Sequence, residues 1–259
     1  GDDGIAIAMA LAILADDALP HPRIEAVFTV SEEVGMEGAG AVDLSMLRGH
    51  KLLNLDSEEE GYFLTSCAGG CRANVSLPVS RETSHGTVYH IAVEGLTGGH
   101  SGVEIDKGRA NSNLALARVL LSLDGAVAYS LVTMEGGLKD NAIPRMSSAD
   151  VIVAEEDGER LEAVVRETEA ALCREYAVTE PGLRVTVKSR GIGDENALTQ
   201  ESGKRSLALI NLLPNGIQSM SADIPGLVET SLNLGVLHLN ETELKLHYAV
   251  RSSVQSAKD

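Results

Sequence analysis

The segment Thr29-Val30-Ser31-Glu32-Glu33-Val34-Gly35 places two adjacent carboxylates directly after an apolar, strand-prone run at residues 24–30. In α/β proteins, buried strands commonly present functional groups at their carboxyl ends. Two neighbouring Glu side chains repel each other unless a cation lies beside them, and a metal ion can fill that role. The pair predicts either a metal site, with one Glu as ligand and its neighbour as proton acceptor, or a solvated acidic turn.

A second acidic pair, Asp2 and Asp3, precedes an alanine-rich apolar run at residues 5–15. That run is long enough for about four turns and predicts a buried helix. Either aspartate could bind a metal or simply cap the helix, because the helix dipole favours anions at the N-terminus.

A third acidic position, Asp56, follows a second apolar run at residues 51–55. Residues 38–47 between the two runs predict a short helix. The order helix, strand, helix, strand predicts a mostly parallel sheet, which would gather the acidic strand ends along one edge. Carboxylate ligands suit divalent cations, and two metals sharing a carboxylate are a common hydrolytic arrangement.

Composition limits the classes of partner. The 259 residues carry a net charge of −17, which argues against nucleic acid or an anionic membrane surface as partner. No apolar run is long enough to cross a bilayer, and the run at residues 5–14 lacks the basic flank of a signal peptide. We therefore expect a cytoplasmic protein. Its cysteines, Cys67, Cys71 and Cys173, lack zinc-ribbon spacing and are interpreted as reduced thiols.

The hydrophobic pattern changes near residue 70, where alternating strands replace continuous apolar runs. We therefore predict an α/β fold in two domains, residues 1–69 and 70–259. The second domain is an α+β, mostly antiparallel unit with two strand–helix–strand halves, suited to act as a lid. Its predicted strands are 72–79 and 87–94, expected to pair, and 128–135, 149–154, 183–188, 227–239 and 243–251. The last two are expected to form a hairpin joined at Asn240-Glu241. Its predicted helices are 111–123, 158–176 and 206–213, with residues 190–206 as a loop leading into the last of them.

A glycine-rich loop at residues 95–102 carries one histidine, His100. The loop lacks the Gly-Lys-Ser/Thr ending of a phosphate-binding loop, so nucleotide binding is not indicated. From the residues alone, His100 is interpreted as a surface histidine in a flexible loop.

Several motifs occur in order along nearly the whole chain and are together highly specific. They are Asp2-Asp3-Gly4-Ile5, Ser31-Glu32-Glu33-Val34-Gly35-Met36, Asn54-Leu55-Asp56-Ser57-Glu58-Glu59-Glu60-Gly61, Cys67-Ala68-Gly69-Gly70, Gly98-Gly99-His100-Ser101-Gly102, Asp140-Asn141-Ala142-Ile143-Pro144 and Gly226-Leu227-Val228-Glu229-Thr230-Ser231-Leu232-Asn233. With them the chain resembles the di-zinc aminopeptidase/carboxypeptidase family, and within it the bacterial dipeptidases that cleave Xaa-His. The resemblance implies a zinc-exopeptidase-like catalytic domain followed by a lid.

The resemblance also implies roles for the acidic residues. Asp2 matches the carboxylate that bridges two Zn²⁺ ions, with Mn²⁺ or Co²⁺ as possible substitutes. Glu33 and Asp56 match terminal ligands, one on each metal. Glu32 matches the general base that takes a proton from the metal-bridging water and delivers it to the leaving amine.

Three residues of the second domain match the lid side of such a site. His100 matches the histidine that stabilises the oxyanion of the tetrahedral intermediate. Asn141 and Arg251 lie where lid residues hold the backbone and terminal carboxylate of a small peptide. The resemblance further implies a possible homodimer.

The chain also departs from the family pattern. The family's His-x-Asp motif would precede Gly1, its last zinc histidine would follow Asp259, and none of the seven histidines present sits in a matching motif. We therefore expect a central piece of a longer enzyme, with little or no activity by itself. The alternative is a non-catalytic lid-type module for binding or dimerisation.

Overall fold

The computed structural model describes residues 3–32, 35–56 and 60–259. The chain divides into two compact units, one ending at Thr65 and one spanning Ser66–Asp259. Each unit is described by itself.

The first unit begins with helix α1, Gly4–Ala15. The Asp3 side chain caps it by accepting a hydrogen bond from the Ala6 N–H at 3.3 Å, so the capping interpretation of Asp3 is confirmed. The helix itself was predicted correctly, but its predicted burial is wrong. Its apolar side chains are exposed, Ile5 to 69%, because no sheet forms beneath them in the described part of this unit.

The strands predicted at 24–30 and 51–55 are not formed in the described residues, where helix α2, Glu37–Ala41, follows an irregular segment. An apolar run becomes a strand only when a neighbouring strand accepts its backbone hydrogen bonds. In place of strand pairing, the side-chain carboxylate of Glu25 accepts hydrogen bonds from the N–H groups of Arg48 and Gly49, each at 2.8 Å. Those hydrogen bonds lower the pKa of its carboxyl.

The second unit is a sheet with helices packed against it. Its strands are β1 Gly69–Pro78, β2 Arg81–Glu94, β3 Gly99–His100, β4 Tyr129–Gly136, β5 Ala142–Ile143, β6 Ser147–Val153, β7 Arg184–Leu198, β8 Gly216–Met220, β9 Val228–Leu239 and β10 Glu243–Ser252. Its helices are α3 Ser112–Asp124, α4 Gly158–Glu175, α5 Gln200–Leu212 and α6 Gln255–Lys258, with 3-10 turns at Ile105–Lys107 and Glu155–Asp157.

The main sheet has eight antiparallel strands in the order β1-β10-β9-β4-β6-β2-β7, with β8 also paired to β9. Strands β9 and β10 form the predicted hairpin, closed where Asn240 N–H donates to the Glu243 carbonyl. The mixed α/β class with a mostly antiparallel second region is confirmed.

Two local predictions in this unit are wrong. Strands β1 and β2 do not pair with each other: β1 lies beside β10, while β2 lies between β6 and β7. The residues between them, Val79-Ser80, lack the Asn-Gly or Asp-Gly sequence that favours a tight hairpin. The segment from 190 onward is also no loop, because β7 runs to Leu198 alongside β2 and α5 begins at Gln200.

The core lies between the sheet and α3, α4 and α5. Alternate residues of β2, including Ile91 and Val93, are fully buried in the same cluster as Leu120 of α3 and Leu161 of α4. A second, small cluster, with Val88 from β2, belongs to the opposite set of alternating side chains. In the part of the chain that is described, no helix is both long and apolar enough to cross a membrane.

Candidate functional site

The glycine-rich loop places His100 beside Asn141. Strands β3 and β5 pair so that His100 lies opposite Ala142, and the Ser101 N–H donates to the Asn141 carbonyl at 2.9 Å. Two segments that are about 40 residues apart in sequence thus meet in a short two-stranded ladder. This pairing brings His100 and Asn141 close together.

Both glycines before His100 are required by the local packing. Gly98 and Gly99 have φ values of +67° and +145°, which side-chain-bearing residues rarely adopt. A Cβ atom at Gly98 would meet the side chain of Arg145, and one at Gly99 would meet Arg109. The Gly-Gly-His sequence is therefore explained by close approach as well as by backbone conformation.

Two backbone amides select the protonation pattern of the His100 ring. The Gly102 and Val103 N–H groups both donate to His100 Nδ1, each at 3.2 Å. In the neutral ring, Nδ1 is then the acceptor, and the proton lies on Nε2. Burial of the ring, and secondarily the positive charge of Arg251, lowers the pKa of His100, while Glu104 acts in the opposite direction. A neutral ring with an Nε2–H donor is favoured.

Arg251 lies near the end of β10, in register with Gly70 and Ser231 of the neighbouring strands. Its Nε atom is buried and has no hydrogen-bond partner. A Cβ atom built on Gly102 would lie 3.1 Å from Arg251 Nε and 2.9 Å from His100 Cε1. The imidazole of His100 and the guanidinium of Arg251 therefore both lie beside Gly102, where a larger residue would place its side chain.

The loop that carries Asn141 is held from beneath by β9. The side-chain amide of Asn233 donates to the carbonyls of Asp140 and Ala142, at 2.9 and 2.8 Å. Asp140 also forms an ion pair with Arg72 of β1. Asn141 itself is exposed between its two anchored neighbours, so its side chain is free to meet a ligand.

The predicted site residues of the first unit are only partly described. Asp2 and Glu33 lie outside the described residues. Glu32 and Asp56 are exposed, and the Glu32 carbonyl accepts from the N–H groups of Gly35 and Met36. Among residues 3–32, 35–56 and 60–259, no three His, Cys, Asp or Glu side chains form a group able to hold a metal ion.

Two features around His100 were not predicted from the sequence. The Glu104 carboxylate accepts from the His100 N–H at 2.8 Å and pairs with Arg109 at 2.8 Å. Glu180, which is 1% exposed, binds two backbone amides near the same loop. Glu104 lies close enough to the glycine motif to have been considered, whereas an isolated Glu before Pro181 carries no local signal.

Comparison with known proteins finds relatives of this chain among peptidases. Residues 91–180 match the family described as peptidase dimerisation domain, M20_dimer. Cytosol non-specific dipeptidase of Escherichia coli K12 is 36% identical over 260 residues, which cover all of this chain and 53% of that protein. The crystal structure of aminoacylhistidine dipeptidase from Vibrio alginolyticus is 32% identical, with a TM-score of 0.81 over 99% of this chain and 53% of that one. The chain thus spans about half the length of either relative.

Proposed function

Since this chain is homologous, along its whole length, to the cytosol non-specific and aminoacylhistidine dipeptidases, we propose that it serves the hydrolysis of unblocked dipeptides such as Xaa-His. The glycine-rich loop at residues 95–102 has three side chains in or beside it that can bind different parts of a dipeptide. They are His100, Asn141 and Arg251. Their proximity is the observation that carries the proposal.

Each of the three groups can bind a different part of a dipeptide. The Nε2–H of His100 is a donor for the oxyanion that develops when the peptide carbonyl is attacked. The guanidinium of Arg251 suits a terminal carboxylate, which is the group that distinguishes a dipeptide from an internal segment of a longer chain. Asn141 offers both a donor and an acceptor to the peptide backbone.

We propose two Zn²⁺ ions, with Mn²⁺ or Co²⁺ as possible substitutes, as the cofactor of the reaction. Asp2, Glu33 and Asp56 would supply part of the donor set, as carboxylate oxygens that bind divalent cations. When bound, such ions supply an acidified water as nucleophile. The residues of this chain would hold the ions, and Glu32 would accept a proton and return it to the leaving amine.

The test is hydrolysis of Ala-His by the full-length protein. We expect turnover of Ala-His and none of its N-acetylated form. We expect Glu32→Gln to lose at least about a hundredfold in kcat while metal content stays unchanged. Glu37→Gln, which removes another exposed carboxylate from the same region, is the matched control. Wild-type turnover by Glu32→Gln would overturn the role of Glu32.

By itself, the 259-residue chain should hold zinc weakly and hydrolyse little dipeptide, because three carboxylates lack the imidazole ligands usual for zinc. Calorimetric titration with zinc, together with the Ala-His assay, measures both quantities. Turnover at the rate of the full-length protein would contradict this proposal.

A second candidate function is favoured by the match of residues 91–180 to a dimerisation domain. In that case the chain would act in binding or dimerisation without catalysis. Sedimentation with zinc and with a chelator separates the two candidates, because such a module should assemble regardless of metal. A homodimer observed with zinc present is compatible with both candidates, whereas a homodimer that persists with the chelator favours the module. A cytoplasmic location fits either candidate, and the Escherichia coli relative is named for the cytosol.

A further inference from the structure

Glu180 is a buried carboxylate without a catalytic assignment. It lies in the turn after α4 and is 1% exposed. Its Oε2 accepts from the Thr97 N–H at 2.7 Å, and its Oε1 accepts from the Ala110 N–H at 3.1 Å. One side chain therefore binds both ends of the segment between Thr97 and Ala110, and His100 lies in that segment.

The approach of the turn to this segment is close on both sides. A Cβ atom on Gly95 would meet the backbone of Gly182, and Gly95 has a φ of +80°. At the other end, the side chain of Thr179 lies 3.7 Å from the Cβ position of Gly108. The turn thus contacts the chain at Gly95, just before the segment begins, and at Gly108, just before it ends. Glu180 lies between the two residues of the turn that make these contacts, Thr179 and Gly182.

Inside the segment, hydrogen bonds link its tip to the fixed ends. Glu104 accepts from the His100 N–H and pairs with Arg109, and the Arg109 guanidinium donates to the Gly98 carbonyl. The Glu104 N–H in turn donates to the His100 carbonyl at 3.1 Å. A displacement of either end would therefore change the position of His100 relative to Gly102 and Val103, whose N–H groups meet its Nδ1.

We propose that Glu180 is a positioning residue for His100: by binding both ends of the Thr97–Ala110 segment, it maintains the turn that keeps the imidazole as an Nε2–H donor. The positions of the two ends of the segment follow from the hydrogen bonds described above. The consequence for catalysis rests on the proposed function of His100.

Glu180→Gln distinguishes the hydrogen-bonding role of Glu180 from a role in which its side chain only fills buried volume. The amide has nearly the same shape, but it presents N–H donors to one of the two backbone amides and can accept from only the other. One end of the segment is released while the buried volume is kept. Glu175→Gln, which removes the carboxylate of the exposed Arg118 ion pair only five residues away, is the matched control.

The test is ¹⁵N NMR of the histidine ring nitrogens in the 259-residue chain, with His100 assigned by comparison with His100→Gln. In wild type and in Glu175→Gln, we expect Nδ1 of neutral His100 to show the shift of an unprotonated acceptor. In Glu180→Gln, we expect that signal to move toward the tautomer average of an unconstrained imidazole. Glu180→Gln with a lowered thermal midpoint but wild-type His100 shifts would overturn the proposal.

A wild-type measurement covers the case in which Glu180→Gln fails to fold. Hydrogen exchange should show the Thr97 and Ala110 amide protons both protected, as partners of one buried carboxylate. Exchange of either amide at the rate of an unprotected peptide group would overturn the proposal.

Activity of the full-length protein separates this proposal from the proposed function. If both hold, Glu180→Gln lowers kcat at least about tenfold with a smaller change in KM. A shifted His100 spectrum with unchanged kcat would support the positioning by Glu180 and overturn the catalytic role of His100.

Discussion

Gly102 lies next to the side chains of both His100 and Arg251. Its backbone lies outside the left-handed region, so the backbone itself would accept alanine. The added methyl group would nevertheless lie 2.9 Å from His100 and 3.1 Å from Arg251. At this position the side chains on either side, rather than the backbone, require glycine.

We therefore predict that Gly102→Ala impairs the site more than the fold. Because a displacement of a catalytic group by about 1 Å can cost about a hundredfold, kcat/KM for a dipeptide should fall about 10- to 100-fold. The free energy of unfolding, measured in urea, should change by less than about 1 kcal/mol. Gly193→Ala is the control, since its Cβ meets no atom within 4 Å. Equal activity of the two variants would contradict the prediction.

The pH behaviour of His100 gives a second test at this scale. Its pKa is lowered from the usual 6.5 by burial and by Arg251, while Glu104 opposes the shift. The unfolded chain therefore binds this proton more readily than the folded chain at pH values below about 6.5. His100 should reduce the free energy of unfolding as the pH falls through that window and have no such effect above it.

We predict an NMR titration midpoint for His100 below 6.5 and a higher midpoint in Arg251→Gln, which removes the nearby positive charge. Arg184→Gln, at an arginine paired with Glu94, should leave the midpoint unchanged. A midpoint in Arg251→Gln at or below the wild-type value would show that Arg251 does not influence the ring.

Helix α3 connects the core to the loop that carries Asn141. Its N-cap, Asn111, accepts from the N–H groups of Asn113 and Leu114 and donates to the Leu234 carbonyl of β9 at 3.0 Å. One residue thus starts the helix and fixes it to the strand that anchors the Asn141 loop. Further along the same helix, Leu120 is fully buried, whereas Leu121 is 49% exposed.

These neighbouring leucines provide a matched test of the packing. Leu120→Ala should lower the free energy of unfolding by about 2–5 kcal/mol, because it leaves a cavity in the core. Leu121→Ala should change it by less than about 1 kcal/mol. Urea denaturation of both variants measures the difference, and similar values for the two would contradict the described register of α3.

The elements that sequence reasoning recovered are those with strong local patterns. Residues 111–123 and 158–176 alternate apolar and polar positions with helical spacing, and α3 and α4 lie there. The last part of β7 was missed because Gly191, Gly193 and Asp194 disfavour strands. Pairing with β2 overrides that local preference, and such pairing cannot be read from a short window.

The candidate site also contains residues that local sequence motifs predict and a residue that they do not. His100 and Asn141 stand in motifs dense enough to be found in the sequence, and the structure brings them together. Glu180 could not be found, because its partners at Thr97 and Ala110 lie 83 and 70 residues away. Its importance depends on a contact that only the folded chain makes.

At the scale of the whole molecule, the two units differ in how they cover their apolar side chains. In the unit ending at Thr65, Leu52, Phe63 and Leu64 are 90%, 86% and 84% exposed. In Ser66–Asp259, the sheet and three helices enclose a continuous cluster of buried apolar side chains. The second unit has the properties of an independently stable domain.

We predict that limited proteolysis of the 259-residue chain first cuts before residue 66 and leaves a resistant fragment close to Ser66–Asp259. The chain should also bind the dye ANS more strongly than that fragment does, because exposed apolar surface binds the dye. Mass spectrometry of the digestion products gives the first cut sites. Early cleavage within α3 or β6, with the first unit intact, would contradict the division into these units.

The attachment of Asn141 has a thermodynamic consequence for the binding role proposed for it. Both neighbouring carbonyls are bound by the one amide of Asn233, so the backbone around Asn141 has a fixed conformation before any ligand arrives. The conformational entropy of this loop is lost when the chain folds and not when a peptide binds. In the proposed function, the affinity of this loop for a peptide backbone would therefore not be reduced by an ordering step, as it would be in a loop that closes around its ligand.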